Sequence, residues 1–112
     1  MYIHSEQETN QNTFIRREEA WRINNVVSFP KGTLVLSDKK LTFHAFRNTT
    51  NQDVEILLVD VEKVKVTYKA ILYQNIGVYL KHTHYIFQVK NGSEWVDEIN
   101  NAVSIQKAIR NG

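Results

Sequence analysis

The sequence predicts a mainly β domain, a barrel of about seven antiparallel strands capped by one C-terminal α-helix. Three observations favour this fold class. Residues 23–89 contain short runs in which apolar and polar side chains alternate, separated by polar turns. Residues 92–109 switch to an apolar period of 3.6 residues. A chain of 112 residues with 42% hydrophobic residues can bury one core.

The N-terminal arm, residues 1–22, is predicted to lie outside the barrel, which would comprise residues 23–112 with its C-terminal helix. Within the arm, residues 13–22 fit a short helix that begins at a capping threonine and carries Phe14 and Trp21 on one side.

The alternating runs predict where the strands lie and which side chains face the core. The seven strands are expected at residues 23–29, 33–37, 41–46, 54–59, 61–68, 76–81 and 85–89. In the third strand, Leu41, Phe43 and Ala45 should point inward, because successive side chains of a strand point to opposite faces. Ser37-Asp38-Lys39-Lys40 supplies the tight polar turn that joins the second and third strands into a hairpin.

The strand at residues 61–68 alternates between lysines and apolar side chains. Lys63 and Lys65 should face solvent, with Lys69 next in phase, whereas Val64, Val66 and Tyr68 should face the core. Residues 70–74 show neither period.

The C-terminal helix should start at Gly92 or Ser93, because Asn91 followed by Glu94 forms a capping-box pattern. One mainly apolar stripe then runs along the helix. It consists of Trp95, Ile99, Ala102, Val103, Gln106 and Ile109. We expect this stripe to close an open end of the barrel and to bury Trp95 there.

Three patches of sequence resemble the GRAM domain, a member of the pleckstrin-homology superfold. Residues 32–44 (GTLVLSDKKLTFH) look like the GRAM signature of a glycine, alternating leucines and a Ser-Asp-Lys turn. Residues 56–61 (ILLVDV) are similar to the strand and turn that follow it. Residues 87–99 (FQVKNGSEWVDEI) resemble the last strand and the helix start, where an acidic residue precedes tryptophan.

The resemblance implies a pleckstrin-homology-like barrel of seven strongly bent strands and a closing helix. It also implies a binding module that associates with membranes or with protein partners. Domains of this superfold that grip phosphoinositides use a longer Lys/Arg-rich loop between their first two strands, whereas the early turns of this sequence are short.

A basic surface is the most specific candidate for a binding site. Lysines on one strand face would add their charges toward an anionic membrane, giving weak and salt-sensitive binding. The lipid-binding candidates are Lys39, Lys40, Arg47, Lys63, Lys65 and Lys69. The lysines of the strand also have a purely structural interpretation. Alternation places them on the solvent-exposed face of a half-buried strand, where they discourage pairing at a sheet edge.

A protein partner, or a second copy of the chain, is the alternative to a membrane. Such a module would use a sheet edge or the N-terminal segment, where Phe14 and Trp21 are the partner-binding candidates. Trp21 would then serve either as an exposed anchor or as a contact between the arm and the barrel.

Other classes of function find little support in the sequence. The absence of cysteine excludes thiolate chemistry, and His44, His82 and His84 have no spacing that defines a zinc site. No glycine-rich phosphate loop or nucleophile elbow is present, so we expect no enzyme activity and no cofactor. A net charge of +2 does not indicate a nucleic-acid partner. We expect a cytoplasmic protein, peripheral to any membrane that it binds.

Overall fold

A computed structural model describes residues 13–24, 29–47 and 52–111 of the chain. Within these ranges the predicted set of seven strands followed by one C-terminal helix is confirmed. The strands are β1 Phe14–Arg22, β2 Lys31–Ser37, β3 Lys40–Ala45, β4 Val54–Leu57, β5 Lys63–Lys69, β6 Gln74–Tyr79 and β7 His84–Val89. A 3-10 turn spans Leu58–Asp60, and the helix, α1, spans Gly92–Asn111.

The strands form one antiparallel sheet in the order β4-β3-β2-β1-β7-β6-β5. β1 lies at its centre and pairs along its length with β2. At its C-terminal end it also pairs with β7, where Trp21 faces Gln88 and Arg22 faces Phe87. β1 therefore joins the two halves of the sheet, β2–β4 and β5–β7, and the sheet bends around one core.

The helix predicted for residues 13–22 is wrong, because these residues form β1 and belong to the sheet rather than to an arm outside it. The side chains that β1 turns inward include two charged ones. Arg16, Glu18 and Ala20 pair with inward-facing residues of β2 and share their face. Because two of these three positions are charged, the strand lacks the apolar alternation by which a strand is recognised in a sequence.

The strand predicted for residues 23–29 is not observed in the part of it that the structure describes. Ile23, Asn24 and Phe29 lie outside the strands, and residues 25–28 lie outside the described ranges. The remaining predicted strands match β2 to β7 with shifted ends. The predicted count of seven is therefore correct, but the first strand lies earlier in the chain than expected.

The core lies between the two halves of the sheet, and the inward phase predicted for β3 is confirmed. Leu41 and Phe43 are fully buried, and the ring of Phe43 lies 5.7 Å from that of Phe87 on β7. Gly32 allows β2 and β3 to approach closely, because a Cβ atom there would lie 2.2 Å from the carbonyl oxygen of His44.

α1 begins at Gly92, as predicted, and packs against the 3-10 turn, β5 and β6. Its first turn is held by the sheet, since the Ser93 N–H donates to Gln74 Oε1 at 3.0 Å. Trp95 and Ile99 are fully buried, which confirms the predicted role of Trp95 in the core. The predicted apolar stripe does not stay buried to its end, because Ile109 is 66% exposed.

Arg16 fixes the helix to β1 through a group of residues that we call the Arg16 cluster: Arg16, Glu18, Glu94, Trp95 and Glu98. The Arg16 guanidinium lies 2.8 Å from Glu18, 3.2 Å from Glu94 and 3.3 Å from Glu98. It also stacks 5.0 Å from the centre of the Trp95 ring. The Trp95 indole N–H donates to Glu18 Oε1 at 2.7 Å.

The inward charges of the Arg16 cluster stabilise one another. Burial disfavours the charged guanidinium, but the hydrogen bond and charge of Glu18, with Glu94 and Glu98, outweigh this and raise the pKa of Arg16 above its ordinary value. The cluster thus satisfies the polar groups that β1 turns toward the helix, and its function is structural.

Candidate functional site

The six lipid-binding candidates do not form one surface. Lys39 lies in the β2–β3 turn, whereas Arg47 follows the opposite end of β3. Lys40 donates to the Glu55 carboxylate at 2.6 Å, so its charge is already paired. This hydrogen bond and the positive charge of Lys40 lower the pKa of the Glu55 carboxyl. In the sheet order, β2, β1, β7 and β6 lie between β3 and β5, which separates these three basic residues from those of β5.

Lys63 and Lys65 do share one face, as predicted. Both are exposed, and between them Val64 is buried. Lys63 pairs with Tyr79 and Lys65 with Gly77 on β6, which places all four residues on the outer face of the sheet. The charges of the two lysines consequently point the same way.

Gly77 lets one aromatic ring contact both lysines. A Cβ atom at this position would lie 2.7 Å from Tyr79 Cε2, so the Tyr79 ring folds across the glycine. The ring centre lies 5.8 Å from the Lys63 ammonium and 5.6 Å from that of Lys65. The ring also stacks on that of His84, with the ring centres 5.4 Å apart. We call Lys63, Lys65, Tyr79 and His84 the outer lysine face.

Lys69 does not belong to the outer lysine face, because a bulge at Thr67 reverses the phase of β5. Val66 pairs with Ile76, but the next pair is Tyr68 with Asn75, which leaves Thr67 as an extra residue. Tyr68 is therefore 59% exposed rather than inward, and the inward phase predicted for it is wrong. Lys69 pairs with Gln74 on the face opposite to that of Lys63 and Lys65.

The lysines of β5 differ from Lys40 in their ion pairing. Within the described ranges, no ion pair or carboxylate hydrogen bond involves Lys63, Lys65 or Lys69. The connection between β1 and β2, residues 23–30, contains no lysine or arginine. The outer lysine face therefore brings two lysines that have no carboxylate partner in the described ranges onto one aromatic ring.

The two partner-binding candidates lie at opposite ends of β1. Phe14 is 57% exposed, and the Arg17 guanidinium lies 5.4 Å from its ring centre. Trp21 is half-buried, with its ring set edge-on against Tyr73 at 5.3 Å and the Lys31 ammonium 5.1 Å from its centre. Phe14 is thus open to solvent, whereas Trp21 packs between neighbouring side chains.

His44 and His84 lie on different strands, β3 and β7, and contact different residues. His44 approaches Asp53 at 3.7 Å on the β3–β4 side, and His84 stacks on Tyr79. Among the residues that the structure describes, no group of three histidine, aspartate or glutamate side chains is placed to hold a metal ion. No helix of the described ranges is both long and apolar enough to cross a bilayer.

Comparison with solved structures identifies the fold. A C-terminal domain of an unknown protein from Leishmania infantum superposes with a TM-score of 0.67 at 11% identity, over 89% of this chain and 92% of that one. The N-terminal PH domain of Vps36 gives 0.63 at 10% identity, over 83% and 80% of the two chains. The N-terminal PH domain of human ARAP2 gives 0.64 at 14%, over 81% and 80%.

These likenesses show that the chain has the pleckstrin-homology-like fold, a seven-stranded antiparallel sheet with a C-terminal helix. No protein-family profile matches the sequence, and no curated protein matches it significantly. The expected superfold is therefore confirmed, and membership of the GRAM group stays a prediction.

Sequence reasoning found the lysines of the outer lysine face but missed the residues that organise them. Gly77 and Tyr79 lie two residues apart, a spacing that places a ring beside an open backbone on one strand face. His84 falls opposite Tyr79 only because the β6–β7 hairpin sets that register. The spacing of Gly77 and Tyr79 is visible in the sequence, whereas the position of His84 opposite Tyr79 is known only from the strand pairing.

Proposed function

We propose that this chain is a non-enzymatic binding module that associates with anionic membrane surfaces through the outer lysine face. The observation that carries the proposal is that Lys63 and Lys65 project together from the sheet, beside one aromatic ring and with no carboxylate partner in the described ranges. Assignment to the GRAM group is part of this proposal and is supported by the three sequence patches.

The electrostatics favour weak and reversible association. Each lysine near an anionic leaflet contributes about 1 kcal/mol, so Lys63 and Lys65 together contribute about 2 kcal/mol. Their side chains need not break an ion pair to reach a phosphate, in contrast to Lys40, which would leave Glu55. The pleckstrin-homology-like fold, which the sequence resemblance links with membranes and protein partners, is consistent with this function.

Co-sedimentation with vesicles tests the proposal. Vesicles of phosphatidylcholine and phosphatidylserine in equal parts should retain the wild-type protein at low salt and release it as salt is added, because the Debye length falls from about 10 Å at 0.1 M to about 3 Å at 1 M. Vesicles of phosphatidylcholine alone should not retain it. A wild-type protein that ignores the anionic vesicles at low salt would refute the function.

A double variant and a charge-matched control locate the surface. Lys63→Gln/Lys65→Gln should lose most of the binding, by roughly tenfold or more if each lysine is worth about 1 kcal/mol. Lys39→Gln/Arg47→Gln removes the same net charge from exposed positions on the other half of the sheet and should bind nearly as well as the wild type. Equal losses in both variants would show that net charge, rather than this face, determines binding.

Protein binding at the N-terminal end of β1 is a second candidate function, favoured by a specific observation. Phe14, Ile15 and Ile105 are 57%, 42% and 50% exposed, and Ile15 and Ile105 line one groove between β1 and α1. Sedimentation velocity of the wild type and of Phe14→Ser/Ile15→Ser tests self-association there. A concentration-dependent increase in mass that the variant abolishes would support it, and a monomer at all concentrations would exclude it.

A further inference from the structure

The turn between β5 and β6 presents two apolar side chains to solvent. It is a tight turn, closed by a hydrogen bond from the Ala70 N–H to the Tyr73 carbonyl oxygen at 2.8 Å. Ile71 at its end is 100% exposed, and Leu72 is 75% exposed. We call these two residues the hairpin tip. Hairpin turns normally carry polar residues or glycine, so turn geometry does not explain this pair.

No other large hydrophobic side chain in the described ranges is as exposed as those of the hairpin tip. The neighbouring β6–β7 turn, Lys81-His82-Thr83, has polar side chains in the equivalent place. Adjacent and protruding aliphatic residues of this kind indicate a surface that becomes buried in an apolar phase.

The base of the turn is braced against the sheet. Tyr73 follows the hairpin tip and packs edge-on against Trp21 of β1, with ring centres 5.3 Å apart. The tip is therefore held away from the body of the protein on an ordered support, which reduces the entropy lost when it enters another phase.

Lysines without a carboxylate partner in the described ranges lie on both faces of the hairpin. Lys65 projects from the outer face, and Lys69, two residues before Ile71, lies on the opposite face beyond the bulge. Tyr68 is exposed on the outer face between them. From the hairpin tip inward, the side chains are first aliphatic, then a tyrosine, then lysines. This order matches a bilayer, in which the acyl chains are followed by the interface and the headgroups.

We propose that Ile71 and Leu72 insert into the acyl region of an anionic bilayer, while Lys69 stays at the level of the phosphates and Lys65 and Lys63, farther from the tip along β5, add long-range attraction to the anionic surface. This inference rests on the function proposed above and adds how the module is anchored. Charge complementarity selects the bilayer as the occupant, because the tip is flanked by cations that have no carboxylate partner in the described ranges. Insertion adds a salt-resistant contribution to the electrostatic binding of the outer lysine face.

A single labelled cysteine reports where the hairpin tip lies. Because the chain contains no cysteine, Ile71→Cys carries an environment-sensitive fluorophore at one site, and Ile109→Cys on α1 provides a matched exposed control. With vesicles of phosphatidylcholine and phosphatidylserine in equal parts, we expect a blue shift at residue 71 and quenching by spin-labelled acyl chains. The label at residue 109 should keep its aqueous emission.

The outcomes separate this inference from the proposed function. If the labelled protein sediments with the vesicles but the label at residue 71 stays aqueous, insertion is refuted and surface binding stands. If the wild-type protein does not sediment at all, both are refuted. Deep quenching at residue 109 with none at residue 71 would place the membrane contact on the helix and would also overturn the inference.

A second variant measures the contribution of the tip. Ile71→Asn/Leu72→Asn should lower the vesicle partition coefficient by roughly tenfold or more, because two aliphatic side chains lose their transfer from water. Its remaining binding should disappear at high salt, whereas part of the wild-type binding should persist. Unchanged partitioning would contradict insertion. The thermal melting curve should stay near that of the wild type, since both side chains are exposed in the free protein.

Discussion

The strands β1 and β5 each carry two charged residues spaced two positions apart on one face, but that face is the inner one in β1 and the outer one in β5. Arg16 and Glu18 of β1 face inward, where they contact each other, Trp95 and the helix carboxylates. Lys63 and Lys65 of β5 face outward and have no carboxylate partner in the part of the chain that the structure describes. The same sequence period thus serves packing in one strand and leaves charge available for binding in the other.

The difference follows from the cost of burying charge. Inward charges must be paired and hydrogen-bonded, because desolvation is otherwise expensive, and this requirement ties Arg16 and Glu18 to each other and to Trp95. Outward charges remain hydrated and contribute little to folding, so they can be replaced at small cost or used to bind a ligand.

Replacing Trp95 should have the largest effect on stability. Trp95→Ala removes a fully buried indole and its hydrogen bond to Glu18, so we expect a loss of about 3–5 kcal/mol in the free energy of unfolding. Chemical denaturation followed by circular dichroism measures this loss. A variant that unfolds at the same denaturant concentration as the wild type would show that the helix does not hold the sheet closed.

Arg16 and Arg17 are adjacent and differ only in the face on which they lie. Arg16→Ala leaves Glu18, Glu94 and Glu98 together without their cation and should cost about 2–3 kcal/mol. Arg17→Ala, on the outward and exposed face, should change stability by less than about 0.5 kcal/mol. Equal losses, measured by the same denaturation, would remove the distinction between inward and outward charge.

Removing the outward charges of β5 should change the free energy of unfolding very little. Lys63→Gln/Lys65→Gln removes two exposed ammonium groups and their contacts with the Tyr79 ring, which together should cost less than about 1 kcal/mol. Differential scanning calorimetry at physiological salt measures this loss. A drop comparable to that of Arg16→Ala would mean that these lysines have a structural role.

The pair formed by Lys40 and Glu55 should give the smallest effect. The ammonium lowers the pKa of the Glu55 carboxyl in the folded state, so the stabilisation is present above the carboxyl's ordinary pKa and is lost as pH falls through the lowered one. Lys40→Gln should therefore raise the pKa of Glu55 toward its ordinary value in an NMR titration. An unchanged titration curve would show that the pair does not persist in solution.

Strands whose inward residues are apolar could be predicted from the sequence. β1 could not, because two of its inward residues are charged. β3 and β6 alternate in hydropathy, and their predicted ranges overlap the observed strands with shifted ends, whereas β1 reads as Arg-Arg-Glu-Glu, a pattern equally compatible with a helix surface. Only the partners of Arg16 and Glu18 explain their inward position, and those partners lie about 80 residues away on α1, beyond the reach of any local pattern.

The candidate site was predicted in part for a similar reason. Strict alternation placed Lys63 and Lys65 correctly but failed at Tyr68 and Lys69, because one extra residue at Thr67 changes the phase of the strand. A bulge depends on the pairing between two strands and leaves no clear trace in either one. The hairpin tip went unrecognised because an exposed apolar pair has the same sequence as a buried one.

We propose above all that the outer lysine face, whose lysines have no carboxylate partner in the described ranges, binds anionic membranes, while the paired charges of the Arg16 cluster do not. A titration of the isotope-labelled protein with anionic phosphatidylserine bicelles, followed by amide chemical shifts, compares the two regions in one experiment. We predict progressive shifts across residues 63–79 and His84, with none at residues 16–18 or 94–98. Shifts concentrated around the Arg16 cluster, or none anywhere, would contradict the account.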